Sequence, residues 1–238
     1  MTRNATRCPA PSYRALLRGK LQTQLDGSVR AISGFARQNI SPDYIAARFE
    51  ISTIPTPGRT KQDEEISMET VTQESRDGSQ YVEMSFHSAG GYDEEPEVVV
   101  FSRRPGGRAE SQVCSDPPLI REIPREILFR AELGTMLIET AMEGRHHVDA
   151  IVIDPRSNGA ATRASIRIRP YKGAMLSTYR ARAWEFEYEY FSLDDPDTVV
   201  VRELEVITSE IVPLFSTMDW GDGSISLQYT IQATRRMS

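Results

Sequence analysis

Trp184-Glu185-Phe186-Glu187-Tyr188-Glu189-Tyr190 alternates without a break, with four aromatic side chains on one parity and three glutamates on the other. A helix would scatter the four rings around its axis, so the stretch reads as a strand with an apolar inner face and a wet outer one. The same period of two recurs over 47–52, 81–86, 164–169 and 224–231, and Val199-Val200-Val201 adds another strand. In 65–74, apolar residues fall at Ile66, Met68 and, after a slip, Val71, giving a further strand with solvated carboxylates. Turn chemistry lies between these runs: Asp26-Gly27, Asp77-Gly78, Gly90-Gly91, Pro105-Gly106-Gly107, Asn158-Gly159 and Asp222-Gly223. Such pairs tolerate positive φ and suit tight hairpins. Many short strands joined by hairpins predict an antiparallel meander that curls or closes.

One segment departs from the pattern. Ile127, Ala131, Gly134, Ile138 and Ala141 step by four, three, four and three, which is one face of a helix over about 125–143. Leu133, Leu137 and Met142 widen that face, Pro124 suits its first turn and Gly144 its C-terminal stop. Gly134 costs about 1 kcal/mol relative to alanine, which predicts a close approach between helix backbone and sheet. The expected architecture is therefore mainly β: a single curled antiparallel meander, a β-spiral or open barrel, wrapped around one amphipathic helix. Residues 1–12 are expected to form a flexible N-terminal segment and 13–238 one domain.

Composition bounds the function. The 238 residues carry a net charge of −6, with 39% hydrophobic and 26% charged residues. A negative field opposes phosphate neutralisation, so nucleic acid is not an expected partner. No apolar run reaches the roughly 18 residues of a membrane-spanning helix. Residues 1–20 show no signal-peptide core as written, leaving periplasmic and cytoplasmic locations open. Cys8 and Cys114 make no CxxC and sit in no Cys/His cluster, and two unrelated thiols are the simpler reading than a disulfide.

No GxSxG elbow, phosphate-binding loop or GxGxxG fingerprint is present, and no cofactor is implied. In His146-His147-Val148-Asp149, strand geometry lets only His147 and Asp149 share a face. Two ligands are too few, so no metal site is expected. Glu185, Glu187 and Glu189 read as the solvated face of their strand. Trp184, Phe186, Tyr188 and Tyr190, with Leu133 and Leu137 of the helix, read as core or as the wall of a ligand cavity. The turn Asp219-Trp220-Gly221-Asp222 offers paired carboxylates for a hydrolase as the third reading.

Four stretches resemble the bacterial cell-envelope integrity EipB-type family: Tyr13-Arg14-Ala15-Leu16 with Ile32-Ser33-Gly34; Ile66-Ser67-Met68-Glu69-Thr70 with Asp77-Gly78-Ser79-Gln80-Tyr81; Ile127-Leu128-Phe129-Arg130-Ala131-Glu132 with Ile138-Glu139-Thr140-Ala141 and Gly144; and Thr217-Met218-Asp219-Trp220-Gly221-Asp222. The resemblance implies a β-spiral around a helix, a periplasmic location and support of envelope integrity without catalysis. The family's cysteine pair has no counterpart at Cys8 and Cys114. The leading expectation is a non-enzymatic periplasmic protein that binds an envelope component or protein partner. The alternative is a carrier of lipid or lipoprotein acyl chains in an aromatic-lined cavity.

Overall fold

The structure is a computed structural model that describes residues 12–23, 29–54, 66–89, 92–93, 95–103, 108–115, 117–156, 159–173, 182–221 and 225–236. The strands are β1 (Tyr13–Thr23), β2 (Val29–Ile40), β3 (Tyr44–Thr53), β4 (Ile66–Ser75), β5 (Gln80–Ala89), β6 (Tyr92–Asp93), β7 (Glu97–Arg103), β8 (Ala109–Val113) and β9 (Leu119–Ile123). The helix α1 (Arg130–Met142) follows, then β10 (His147–Ile153), β11 (Ala161–Pro170), β12 (Ala183–Ser192), β13 (Val199–Thr208), β14 (Pro213–Trp220) and β15 (Ile225–Arg236). They form one antiparallel sheet in the order β10-β11-β12-β13-β14-β15-β1-β2-β3-β4-β5-β7-β8-β9, with β6 beside β5. The fold is thus mainly β, an open curled meander with one helix among the described residues, as the alternation predicted.

Strand β12 shows why the pattern was readable. Trp184, Phe186, Tyr188 and Tyr190 are buried, and they pack with Ala164, Ile166 and Ile168 of β11 beneath Leu137, Ile138 and Ala141 of α1. On the outer face Arg167, Arg169 and Arg202 approach Glu187 and Glu189 at 3.2–3.8 Å. These exposed pairs add little stability individually. A second cluster joins β1, β2, β3 and β15, and a third joins β5, β7 and β8 to Ile123, Ile127 and Phe129.

Expectations for two elements, the helix and β4, need correction. The helix starts at Arg130, not near 125. Ile127 N–H closes a turn onto the Pro124 carbonyl, and Leu128 N–H donates to Ile151 O of β10 at 2.7 Å, holding this segment extended along the sheet edge. Phe129 is the extended N-cap residue, and its N–H is accepted by the Glu132 carboxylate at 3.1 Å. Ile127 and Phe129 therefore bury in the third cluster, not on the helix face. Met142, counted on that face, is exposed, and a methyl carbon added at Gly134 would lie 3.4 Å from the Ile211 side chain in the β13–β14 turn, not against the sheet. The second correction concerns β4. Its pairing runs without a slip, so Met68, Thr70, Thr72 and Glu74 share the inward parity and Val71 does not.

The sheet's two end strands, β9 and β10, are not hydrogen-bonded to each other. The 127–129 segment spans the gap, and Ser111 of β8 donates through its hydroxyl to Gly159 O from the opposite end. The ring is closed by a join rather than by a ladder.

Candidate functional site

The wall does not fill its interior. A chamber of about 460 Å³ lies against α1, lined by Ile45, Thr72, Glu74, Ala131, Thr135 and Met136 among others. A second chamber of about 290 Å³ lies between β1–β4 and β13–β15, with Leu17, Phe49, Met68, Trp220, Leu227 and Tyr229 on its apolar side. Ala47, Thr72 and Arg130 line both, so the two are compartments of one lumen.

Arg130 stands between them. It is the first helical residue, and the extended N-cap aims it across the lumen. Its Nε donates to Tyr81 Oη at 3.1 Å, and Tyr81 donates onward to Glu83 at 2.6 Å, with the guanidinium 3.8 Å from that carboxylate. Although the barrel wall surrounds it, 55% of the side chain remains accessible, and that surface borders the chambers.

Facing it, Glu203 and Glu205 of β13 point inward. Tyr190 donates to Glu203 at 2.7 Å and Tyr188 to Glu205 at 3.0 Å, the two rings stacked 5.6 Å apart. Burial first, and for Glu203 the neighbouring charge of Glu205 second, push these carboxyls upward, Glu203 to about 8. On the helix side, Glu74 of β4 accepts Ala131 N–H at 2.8 Å, a carboxylate at a helix N-terminus delivered from another element. Burial nevertheless lifts Glu74 to about 7.

This has a measurable consequence. A carboxyl near 4.5 in the unfolded chain and near 7 in the folded one binds its proton more tightly when folded. Its stabilising contribution is then full in acid and is lost as pH rises from 4.5 through 7. The urea midpoint of Glu74→Gln, which keeps an acceptor for Ala131, is expected to fall less between pH 5 and pH 8 than the wild-type midpoint. Equal pH slopes in the two proteins would remove Glu74 from this role.

The residues singled out from sequence distribute unevenly. Trp184, Phe186, Tyr188, Tyr190 and Leu137 are buried in the helix-side core, with Leu133 packed against it, and none lines either chamber. Only the hydroxyl ends of Tyr188 and Tyr190 reach carboxylates that do. Asp219 is exposed on the outer parity of β14, opposite Arg202, whereas Trp220 lines the second chamber. Gly221 places its backbone N–H 2.9 Å from Val200 O, and Asp222 lies outside the described residues. His147 and Asp149 share a face, 3.2 Å apart and exposed. Among the described residues no three metal-ligating side chains come together. Cys114 is exposed, and Cys8 lies outside the described residues.

Arg130, Glu74, Glu83, Glu203 and Glu205 were missed, because alternation assigns charge to the outside. A signal existed in β13: the parity of the buried Val201 and Ile207 passes through Glu203 and Glu205.

No family model matches the chain, and no curated protein matches its sequence. Among solved structures it is similar to a β-barrel-like protein of the domain of unknown function DUF1849 from Brucella abortus. The TM-score is 0.76 at 12% identity, over 96% of this chain and 98% of that one. A DUF1329 family protein from Desulfovibrio piger aligns over 96% of this chain and 86% of its own, with a TM-score of 0.37 and 8% identity. The first likeness is one of fold, and it fits the curled sheet that the EipB-type resemblance implied. No helix among the described residues is long and apolar enough to cross a membrane.

Proposed function

We propose that this protein is a non-enzymatic binding protein of the bacterial periplasm, related to the EipB-type family, and that it supports the envelope by holding a small envelope component in its lumen. The observation that carries this reading is Arg130, a guanidinium enclosed by the barrel wall yet accessible from both chambers. Buried charges are normally paired and covered; Arg130 on one side and Glu203 and Glu205 on the other leave charged surface facing the void, which marks it as a ligand seat. The void's apolar wall, with Leu17, Leu21, Met68 and Leu227, suits the body of such a molecule. An acyl chain would also lie there rather than along the aromatic row, which is core.

Ala47 borders both chambers, so Ala47→Phe is expected to block the lumen. Protein isolated from the periplasmic fraction of its own host should carry a bound small molecule by native mass spectrometry. Ala47→Phe, with unchanged circular dichroism, should arrive empty. The same bound species on both proteins, or retention of the wild type in spheroplasts, would count against the proposal.

A further inference from the structure

We infer that the second chamber binds an amphiphilic organic cation, its ammonium group held by Glu203 and Glu205 and its apolar body lying among Phe49, Met218, Trp220 and Tyr229. The inference rests on the lumen being a ligand seat and adds the chemical class.

Shape and charge carry it together. Glu203 and Glu205 are two residues apart on one strand, so their carboxylates stand roughly 7 Å apart on the same inward face. Each already accepts a tyrosine hydroxyl, and Ser216 of β14 lies 3.5 Å from Glu203. Their other accessible surface borders the chamber. Arg130 is the helix's cation in this space, and it is shared with Tyr81 and Glu83 on β5. Arg37, Arg48 and Arg156 also border the chamber. Their guanidinium groups are engaged by Asn39, by Glu50 and Glu69, and by Asp154, respectively. On β5 and β7, His87 and Glu97 face the same space and interact with each other. On β1 and β15, Tyr13 and Tyr229 contribute neutral hydroxyls, their ionisation opposed by burial and by Glu205. Arg130 also acts on Glu203 and Glu205, but its single charge is divided among those two and Glu83, so the β13 pair is short of positive charge.

The remaining wall selects an organic cation. Phe49 and Tyr229 pack with ring centroids 5.3 Å apart, and Trp220 and Met218 line the same side. Aromatic faces beside carboxylates suit an ammonium group with an apolar body. The volume of about 290 Å³ is at the small end for ligand pockets, which favours a short chain or single ring over a long lipid.

Burial holds a proton on Glu203 up to about pH 8, so a fixed positive charge entering beside it favours the proton's release. The cation's affinity should rise with pH by up to about tenfold per unit while Glu203 is protonated, and level off above pH 8. Octyltrimethylammonium, octanoate and 1-octanol titrated calorimetrically into the full chain test this directly. The cation is expected to bind most tightly, to release a proton on binding, and to weaken at least tenfold in the double variant Glu203→Gln/Glu205→Gln. In that variant its pH dependence should flatten while 1-octanol binding is unchanged. Octanoate or octanol binding as tightly as the cation would overturn the assigned class and leave the lumen a ligand seat. Binding of none of the three would take the ligand-seat reading down as well. A cation that binds the double variant with wild-type affinity and pH slope would exclude Glu203 and Glu205.

Discussion

Replacing Gly34 with alanine is expected to cost about 3 kcal/mol or more, enough to consume a large part of a typical domain's stability. The reason is backbone proximity, not conformational freedom. A methyl carbon added at Gly34 in β2 would lie 1.9 Å from Glu50 O in β3. One added at Gly19 in β1 would lie 1.8 Å from Gln228 O in β15. Carbonyl oxygens in a ladder cannot step aside as a flexible side chain does, so strands must separate. Glycine at such points lets a sheet bend sharply, and these two lie on the adjacent strands β1 and β2, inside the stretch that turns the meander on itself. Urea denaturation of Gly34→Ala should show a midpoint far below wild type. A stability within about 0.5 kcal/mol of wild type would mean that the sheet can bend without that glycine.

The second large effect is expected at Arg103, at the end of β7. Its guanidinium donates to both Glu132 oxygens at 2.9 and 2.7 Å, to Gly78 O at 2.9 Å and to Ile127 O, and it lies 4.0 Å above the Phe129 ring. Gly78, with φ of 70°, leaves the room; an added methyl carbon would sit 2.6 Å from Glu132 Oε1. One side chain thus ties together the β4–β5 turn, the edge segment and the first turn of α1. Arg103→Met removes the fork but keeps the aliphatic stem over Phe129. Breaking a fully buried pair costs about 3–5 kcal/mol. Both partners here keep about a fifth to a quarter of their side-chain surface exposed, so about 2–3 kcal/mol is expected. Arg103→Lys should recover less than half of it, since a point charge cannot serve two carboxylate oxygens and two carbonyls at once. Hydrogen exchange should speed up at Ala131–Leu133 more than in β12. Uniform exchange across both regions would show that Arg103 does not clamp the helix start.

Most of the architecture could be read from the chain because its outward strand faces obey a simple rule. Glu185, Glu187 and Glu189 alternate with buried rings, and Asp77-Gly78 makes the turn that its residue types predict. The helix start was obscured because Ile127 sits at a helical spacing from Ala131 while packing elsewhere, and Phe129 at the N-cap lacks a capping side chain. The lumen was illegible for a more general reason. Alternation separates two faces but does not say that the inner one is apolar throughout, and here part of the inner face is polar. Thr70, Thr72 and Glu74 on β4, and Glu203 and Glu205 on β13, look like solvated positions because they do border a void, one that lies inside the wall.

The pairing of β1 with β15 joins residues 13–23 to residues 225–236 in the middle of the sheet, not at its rim. A ribosome therefore releases the first strand long before its partner exists. Until then β1 offers an open edge to any neighbouring chain, and the two halves of the sheet have nothing to register against. Closing so long a loop late makes assembly slow, and an escort that shields the nascent edge would raise the yield of folded molecules more than any gain in final stability.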